Sequence, residues 1–248
     1  MFRFFVEKNQ IEDHTVRIIG DDAHHLRDVL RARIGETILV SCGDEWEYTC
    51  EVEAILPEEV RATIVDAQRP GKELPSRILL LQCLPKGDKM ETVIQKAVEL
   101  GARDIVPVVS SRCVVKLDAK KAEAKVRRWN AIAESAAKQA KRMVVPEVHG
   151  VYAFREALSF ATESGERPVL LLPYERAQGI EETRRILQAI TPGQPVAVLI
   201  GPEGGFSEDE VQQACEAGFR PITLGKRILR TETAGMMILS VLGYLLET

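Results

Sequence analysis

The sequence predicts a small β-barrel domain with one helix, followed by a larger α/β domain whose sheet is mostly parallel. Three observations predict it. Up to residue 68 the chain holds short segments that alternate polar and apolar residues, the period of a half-buried strand. Two prolines and a glycine then interrupt it at Arg69-Pro70-Gly71-Lys72-Glu73-Leu74-Pro75, a linker composition. Beyond that point nearly continuous apolar runs alternate with segments of helical spacing, as expected for buried parallel strands covered by helices. The expected domains are residues 1–72 and 73–248.

In the first domain the expected strands are 37–42, 46–54 and 61–66, with a turn at Cys42-Gly43-Asp44-Glu45. A short helix precedes them. Asp21 or Asp22 can cap it, and Leu26, Val29 and Leu30 form its apolar face. In the second domain Arg77-Ile78-Leu79-Leu80-Leu81-Gln82-Cys83-Leu84 reads as a buried strand. Residues 89–100 form a helix with Met90, Val93, Ile94, Ala97 and Val98 on one face and Gly101 as its stop. Residues 104–109, 169–172, 196–200 and 222–224 are the further strands. A long amphipathic helix spans 119–142, and shorter ones span 181–190 and 208–217. The last helix, 233–246, is apolar all round, so it must be covered on more than one side. Its own sheet covers one side; a second subunit or the rest of the chain covers another.

The 248 residues are 45% hydrophobic and 28% charged, ordinary values for a globular chain. No apolar run is long enough to span a membrane, and the first ten residues lack a signal-peptide core, so a cytoplasmic location is expected. Cys42, Cys50, Cys83, Cys113 and Cys215 include no C-x-x-C pair. With His14, His24, His25 and His149 they make no zinc pattern, so no metal is expected and the thiols read as free and mostly buried. The net charge of −4 is unevenly spread. Residues 1–70 carry 8 basic and 15 acidic side chains, whereas 116–142 carry nine basic and three acidic ones. That basic run is either a solvated helix face or a surface for phosphates.

Two turns carry the chemistry. Leu199-Ile200-Gly201-Pro202-Glu203-Gly204-Gly205-Phe206-Ser207 lies between a strand and a helix, with Ser207 and Glu210 as a capping box. Its glycines let backbone approach a ligand at a strand's carboxyl end. The spacing is neither that of a dinucleotide fingerprint nor that of a P-loop. Leu224-Gly225-Lys226-Arg227-Ile228-Leu229-Arg230-Thr231-Glu232-Thr233-Ala234 again follows a strand and precedes a helix, which Thr231 or Thr233 can cap. The lysines of Leu84-Pro85-Lys86-Gly87-Asp88-Lys89-Met90-Glu91 can meet phosphate.

Taken in order, these pieces resemble the RsmE family of the SPOUT class, which methylates N3 of a uridine in bacterial 16S ribosomal RNA. The resemblance runs through the Gly201 and Leu224 turns and through Lys89-Met90-Glu91 with Ile94-Gln95-Lys96-Ala97-Val98-Glu99-Leu100-Gly101. It continues through Arg112-Cys113, through Trp129, Gln139, Arg142 and Pro146, and through His25 with Val29-Leu30-Arg31 and Gly35. Lys138 and Ala140 depart from the glutamate and serine common beside the matched Gln139. The resemblance implies a PUA-like barrel followed by a SPOUT-type α/β domain with a C-terminal trefoil knot. It also implies S-adenosyl-L-methionine as cofactor, 16S rRNA within the 30S subunit as partner, and a homodimer. The cofactor residues it implies are Leu172, Leu199, Ile200, Gly201, Pro202, Glu203, Gly204, Leu224, Gly225, Ile228, Leu229 and Thr233. The RNA-binding residues are His25, Arg27, Arg31, Lys86, Arg112, Lys138 and Arg142. Loss of the uracil N3 proton requires an acceptor. Glu232 is the first candidate and Glu203 the second, with Arg230 to orient base or phosphate. Methylation of ribose 2′-oxygen, RNA binding without catalysis, and nucleotide-phosphate binding stay open as alternatives.

Overall fold

The computed structural model describes residues 1–44, 46–163, 167–177 and 179–247. Glu45, in the turn expected at 42–45, lies outside the described residues. The chain divides into two compact units: Met1–Glu73 with Ala137–Val145, and Leu74–Ala136 with Pro146–Thr248.

The first unit is a six-stranded sheet in the order β1-β4-β5-β6-β3-β2. Its strands are β1 Arg3–Phe5, β2 Ile11–Glu12, β3 Thr15–Ile19, β4 Thr37–Ser41, β5 Glu47–Ile55 and β6 Glu59–Gln68. β1 runs parallel to β4 and the other pairs are antiparallel. The first three strands were not expected, although Val16 and Ile18 alternate with exposed neighbours and bury themselves in the core beside Phe4, Ile38, Val40 and Val60. Each such side chain contributes about 2 kcal/mol on burial. The helix α1, Gly20–His24, runs on into a π-helical turn at His25–Val29. Ile19 is its N-cap and no side chain caps it; Asp21 and Asp22 instead occupy the first turn, where the helix dipole favours negative charge.

The second unit is built on a sheet in the order β10-β8-β7-β12-β11-β13, with β9 also paired to β8. The strands are β7 Ile78–Cys83, β8 Asp104–Val109, β9 Glu147–Val148, β10 Tyr152–Ala153, β11 Val169–Pro173, β12 Val196–Ile200 and β13 Arg220–Ile222. All of these pairings are parallel, as the continuous apolar runs predict. The helices are α2 Lys89–Glu99, α3 Ala119–Gln139, α4 Phe154–Thr162, α5 Ile180–Gln188, α6 Glu208–Glu216 and α7 Thr231–Leu246. None of the described helices is long and apolar enough to cross a membrane.

Several expected boundaries move, three of them with a local cause in the chain. α3 stops at Gln139 and not at Arg142, because Lys141 takes a left-handed φ of 56° and the Arg142 N–H turns back to the Ala137 carbonyl. β13 ends at Ile222, since Thr223 is drawn into a turn by its hydroxyl, which accepts from the Gly225 N–H at 3.2 Å. α7 starts at Thr231, with Arg230 as N-cap and no side-chain cap. The sequence reading also missed α4, whose Phe154, Ala157, Leu158 and Ala161 have helical spacing and are buried. The thiols differ too: only Cys50 and Cys83 are fully buried, and Cys215 is exposed.

The strand order positions the site. From β7 the chain moves through α2 outward to β8; from β12 it moves through α6 in the other direction, to β13. The carboxyl ends of β7 and β12 therefore flank a point where the direction of travel reverses, the usual place for a ligand crevice in a parallel α/β sheet.

Candidate functional site

β12 ends at Ile200, and the chain turns through Gly201-Pro202-Glu203-Gly204-Gly205-Phe206 into α6. The Gly205 N–H donates to the Pro202 carbonyl at 2.9 Å, with Gly205 at a left-handed φ of 65°. A Cβ on Gly201 would stand 3.1 Å from the buried Phe206 ring, so this position needs glycine for a different reason, close packing. The capping box forms as expected: Ser207 Oγ accepts from the Glu210 N–H, and Glu210 accepts from the Ser207 N–H at 2.9 Å. The second oxygen of Glu210 accepts from the Ser111 N–H at 2.6 Å, which fixes the turn that carries Arg112. Arg112 Nη1 in turn donates to the Gly204 carbonyl at 3.0 Å.

This turn, the loop after β13 and the end of β11 enclose a cavity of about 580 Å³, the size of a small-molecule site. Of the expected cofactor residues, Ile200, Gly201, Pro202, Glu203, Gly204, Leu224, Gly225, Ile228 and Leu229 line it. Leu172 and Leu199 do not: as inward residues of central strands they are fully buried in the core. Thr233 is exposed on α7 and also lies off the lining. Lys89, Tyr174, Glu175, Thr223, Lys226, Arg227 and Thr231 line the cavity without having been expected as cofactor residues. Tyr174 and Glu175 follow a strand's carboxyl end directly, which was the available signal.

The lining is polarised. Glu203 accepts from the Lys86 backbone N–H and from Lys89 Nζ, both at 3.1 Å. Burial pushes its carboxyl up, but the backbone N–H groups and the Lys89 ammonium outweigh that and hold it below the usual carboxylate range. Lys89 is the first residue of α2, and its Nζ also lies 3.5 Å from Glu232 Oε2. The hydrogen bond to Glu203 is the main cause that holds the Lys89 ammonium above its ordinary value. Glu232 itself lies off the lining; its Oε2 is buried and, apart from the Lys89 ion pair, has no hydrogen-bond partner. Arg230, the N-cap of α7, is exposed and lines the cavity.

The expected RNA-binding residues divide. His25, Arg31 and Lys86 are exposed, with Arg31 held at a left-handed φ of 53°. Arg27 is tied to Asp28 at 2.6 Å and to the Pro57 carbonyl. Lys138 pairs with Asp22 at 2.7 Å and sits over the Phe4 ring. Arg142 is 4% exposed and holds Glu73 through both Nε and Nη2, at 2.9 and 2.6 Å. A phosphate reaches Arg142 only by breaking that pair.

Comparison with known proteins matches residues 72–243 to an RNA methyltransferase domain and residues 18–65 to an RNA methyltransferase PUA domain. A relative from Bacillus subtilis (strain 168), ribosomal RNA small subunit methyltransferase E, is 37% identical over 100% of this chain and 98% of its own. The crystal structure of a ribosomal RNA small subunit methyltransferase E from Neisseria gonorrhoeae bound to S-adenosyl methionine superposes with a TM-score of 0.84 at 36% identity. It covers 99% of this chain and 98% of that one. A methyltransferase from Legionella pneumophila in complex with the same cofactor gives 0.82 at 32% identity, covering 98% of this chain and 97% of its own.

Proposed function

This chain belongs to the family of ribosomal RNA small subunit methyltransferases E, and from that premise we propose that it transfers a methyl group from S-adenosyl-L-methionine to N3 of a specific uridine in 16S rRNA. The observation that carries this reading is a glycine-built cavity whose lining includes Lys89, which bridges Glu203 and the Glu232 carboxylate. The residues present fit the cofactor. Leu224, Ile228 and Leu229 offer apolar surface to a purine, the glycine turn admits close approach, and Glu203 supplies negative charge for a cation. When bound, S-adenosyl-L-methionine supplies an electrophilic methyl group on a sulfonium.

The chain's own residues do the rest. Glu232 takes the N3 proton through its open lone pair as the nitrogen attacks. Lys89, fixed between the two carboxylates, serves as their common counter-ion. Arg230 orients the base or its phosphate with a rigid fork of donors. N3 lies on the pairing edge, so the target base is presented unpaired or flipped out. His25, Arg31 and Lys86 are the exposed groups for phosphate contact. Arg112, Arg27 and Lys138 contribute only if they exchange the partners described above. A C-terminal trefoil knot, a homodimer and the 30S subunit as the form of the substrate complete the reading. Sedimentation at micromolar concentration reads the dimer.

Equilibrium titration tests the cofactor half. The expected result is that S-adenosyl-L-methionine binds and ATP fails to displace it. Displacement by ATP would turn the cavity into a nucleotide-phosphate site.

A further inference from the structure

Gln82 is a fully buried amide in the middle of a parallel sheet, paired in register with Ile200, the last residue of β12. Its side-chain nitrogen stands 3.0 Å from the Cys83 carbonyl and 2.8 Å from Thr231 Oγ1. A carbonyl oxygen only accepts, so the atom that faces Cys83 must be the NH₂ group. That fixes the amide's direction and leaves Gln82 Oε1 buried without a partner. Thr231 Oγ1 therefore receives a hydrogen bond from Gln82, and its own hydrogen is free to go elsewhere. It goes to the Gly201 carbonyl, 2.6 Å away. The Gly201–Pro202 peptide has no N–H, because proline has none. Its carbonyl is the one polar handle by which that peptide can be held, and Thr231 holds it.

We propose that Gln82 and Thr231 are positioning residues: the buried amide sets the direction of the Thr231 hydroxyl, which pins the Gly201 carbonyl. The pin lies where three elements meet. Gln82 is on β7, Gly201 opens the glycine turn, and Thr231 is the first residue of α7, between Arg230 and Glu232. One relay thus fixes both the turn that cradles the cofactor and the helix start that carries the proton acceptor. The polarity of the relay matters as much as its presence. A carboxylate at position 82 could only accept, which would draw the Thr231 hydrogen away from Gly201. The inference rests on the cofactor reading for its functional consequence, but not for its structural one.

The test compares Thr231→Ser, Thr231→Val, Gln82→Leu and Gln82→Glu in the full-length protein. Two readouts are taken: titration with S-adenosylhomocysteine, and hydrogen–deuterium exchange of the peptide covering the glycine turn in the ligand-free protein. Thr231→Ser keeps the hydroxyl and loses the methyl; Thr231→Val does the reverse. The relay predicts that serine retains both affinity and protection, whereas valine exchanges faster in the turn and binds about tenfold more weakly. Gln82→Glu is predicted to be worse than Gln82→Leu in both readouts. A role in packing alone predicts the opposite order at position 231, and that result overturns the proposal. So does equal behaviour of the two Gln82 variants. If Gln82→Glu fails to fold, the serine–valine pair decides alone. If the wild type binds no S-adenosylhomocysteine, the cofactor reading fails, and the exchange comparison still decides for or against the relay.

Discussion

Glu203 and Glu232 differ in one respect that separates the roles proposed for them. Glu203 already accepts from a backbone N–H and from Lys89 at 3.1 Å, while the buried oxygen of Glu232 has only the longer 3.5 Å ion pair with Lys89. A proton acceptor needs a lone pair aimed at its proton. Glu232→Gln keeps the shape and removes the basicity, so methyl transfer is expected to fall roughly 100-fold or more with cofactor affinity retained. Single-turnover transfer and a binding titration check this; a full rate in Glu232→Gln would move the role elsewhere. At Gly204 a Cβ would stand 3.2 Å from Arg112 Cβ. Gly204→Val therefore pushes the turn and Arg112 apart. Cofactor binding is expected to weaken about tenfold, with the melting temperature unchanged because the position is exposed. Unaltered affinity in the folded variant would take the cofactor away from this turn. The glycine turn was legible in sequence because glycines after an apolar run have few other uses. Leu172 and Leu199 lie off the cavity lining because alternation along a strand decides which side chains face a cavity, and a run of leucines and valines hides that alternation. Gln82 stood in plain view, a lone amide in an apolar run, but its partner lies 149 residues away.

At the scale of elements, the basic run 116–142 reads as one surface in the sequence, and the structure divides it. α3 ends before Arg142, whose guanidinium turns inward to Glu73. Arg142→Ala is expected to cost about 2 kcal/mol of stability, by leaving Glu73 without its main partner. Chemical denaturation reads this, and the salt dependence of RNA affinity should not change. Arg31→Ala should instead leave stability alone and lower the log–log salt slope by about 1. The reverse pattern would return Arg142 to the RNA surface. Asp104, at the opposite end of β8 from the cavity, accepts from Arg77 at 2.7 Å and hydrogen-bonds His149 at 3.1 Å. Burial pushes its carboxyl up, but His149 and Arg77 outweigh that and hold it at about 2. A carboxyl depressed in the folded state stabilises fully above its unfolded value and loses that contribution as pH falls. The loss should run from about pH 4 down to about 2 and amount to about 2 kcal/mol. Asp104→Asn should flatten that limb of a stability–pH curve; an unchanged limb would place acid sensitivity in another group. Helix ends and edge strands were the poorest part of the sequence reading. The edge strands β1 and β2 are three and two residues long, and α3 stops just before a left-handed Lys141, a backbone choice that no periodicity announces.

For the whole molecule, the order of apolar runs was enough to give a parallel α/β unit after a smaller sheet, because strands covered on both faces leave a hydrophobic record. The strand order left no such record. Neighbours such as β7 and β12 are far apart in sequence, and the cavity itself opens where the carboxyl ends of β11, β12 and β13 come together. The family membership joins that crevice to RNA methylation. The most direct measurement is incubation of the protein with methyl-labelled S-adenosyl-L-methionine and 30S subunits that lack the modification, followed by nucleoside mapping of the 16S rRNA. One uridine labelled on N3 is the predicted result; label on a ribose 2′-oxygen, or no transfer by a protein that binds the cofactor, would contradict it.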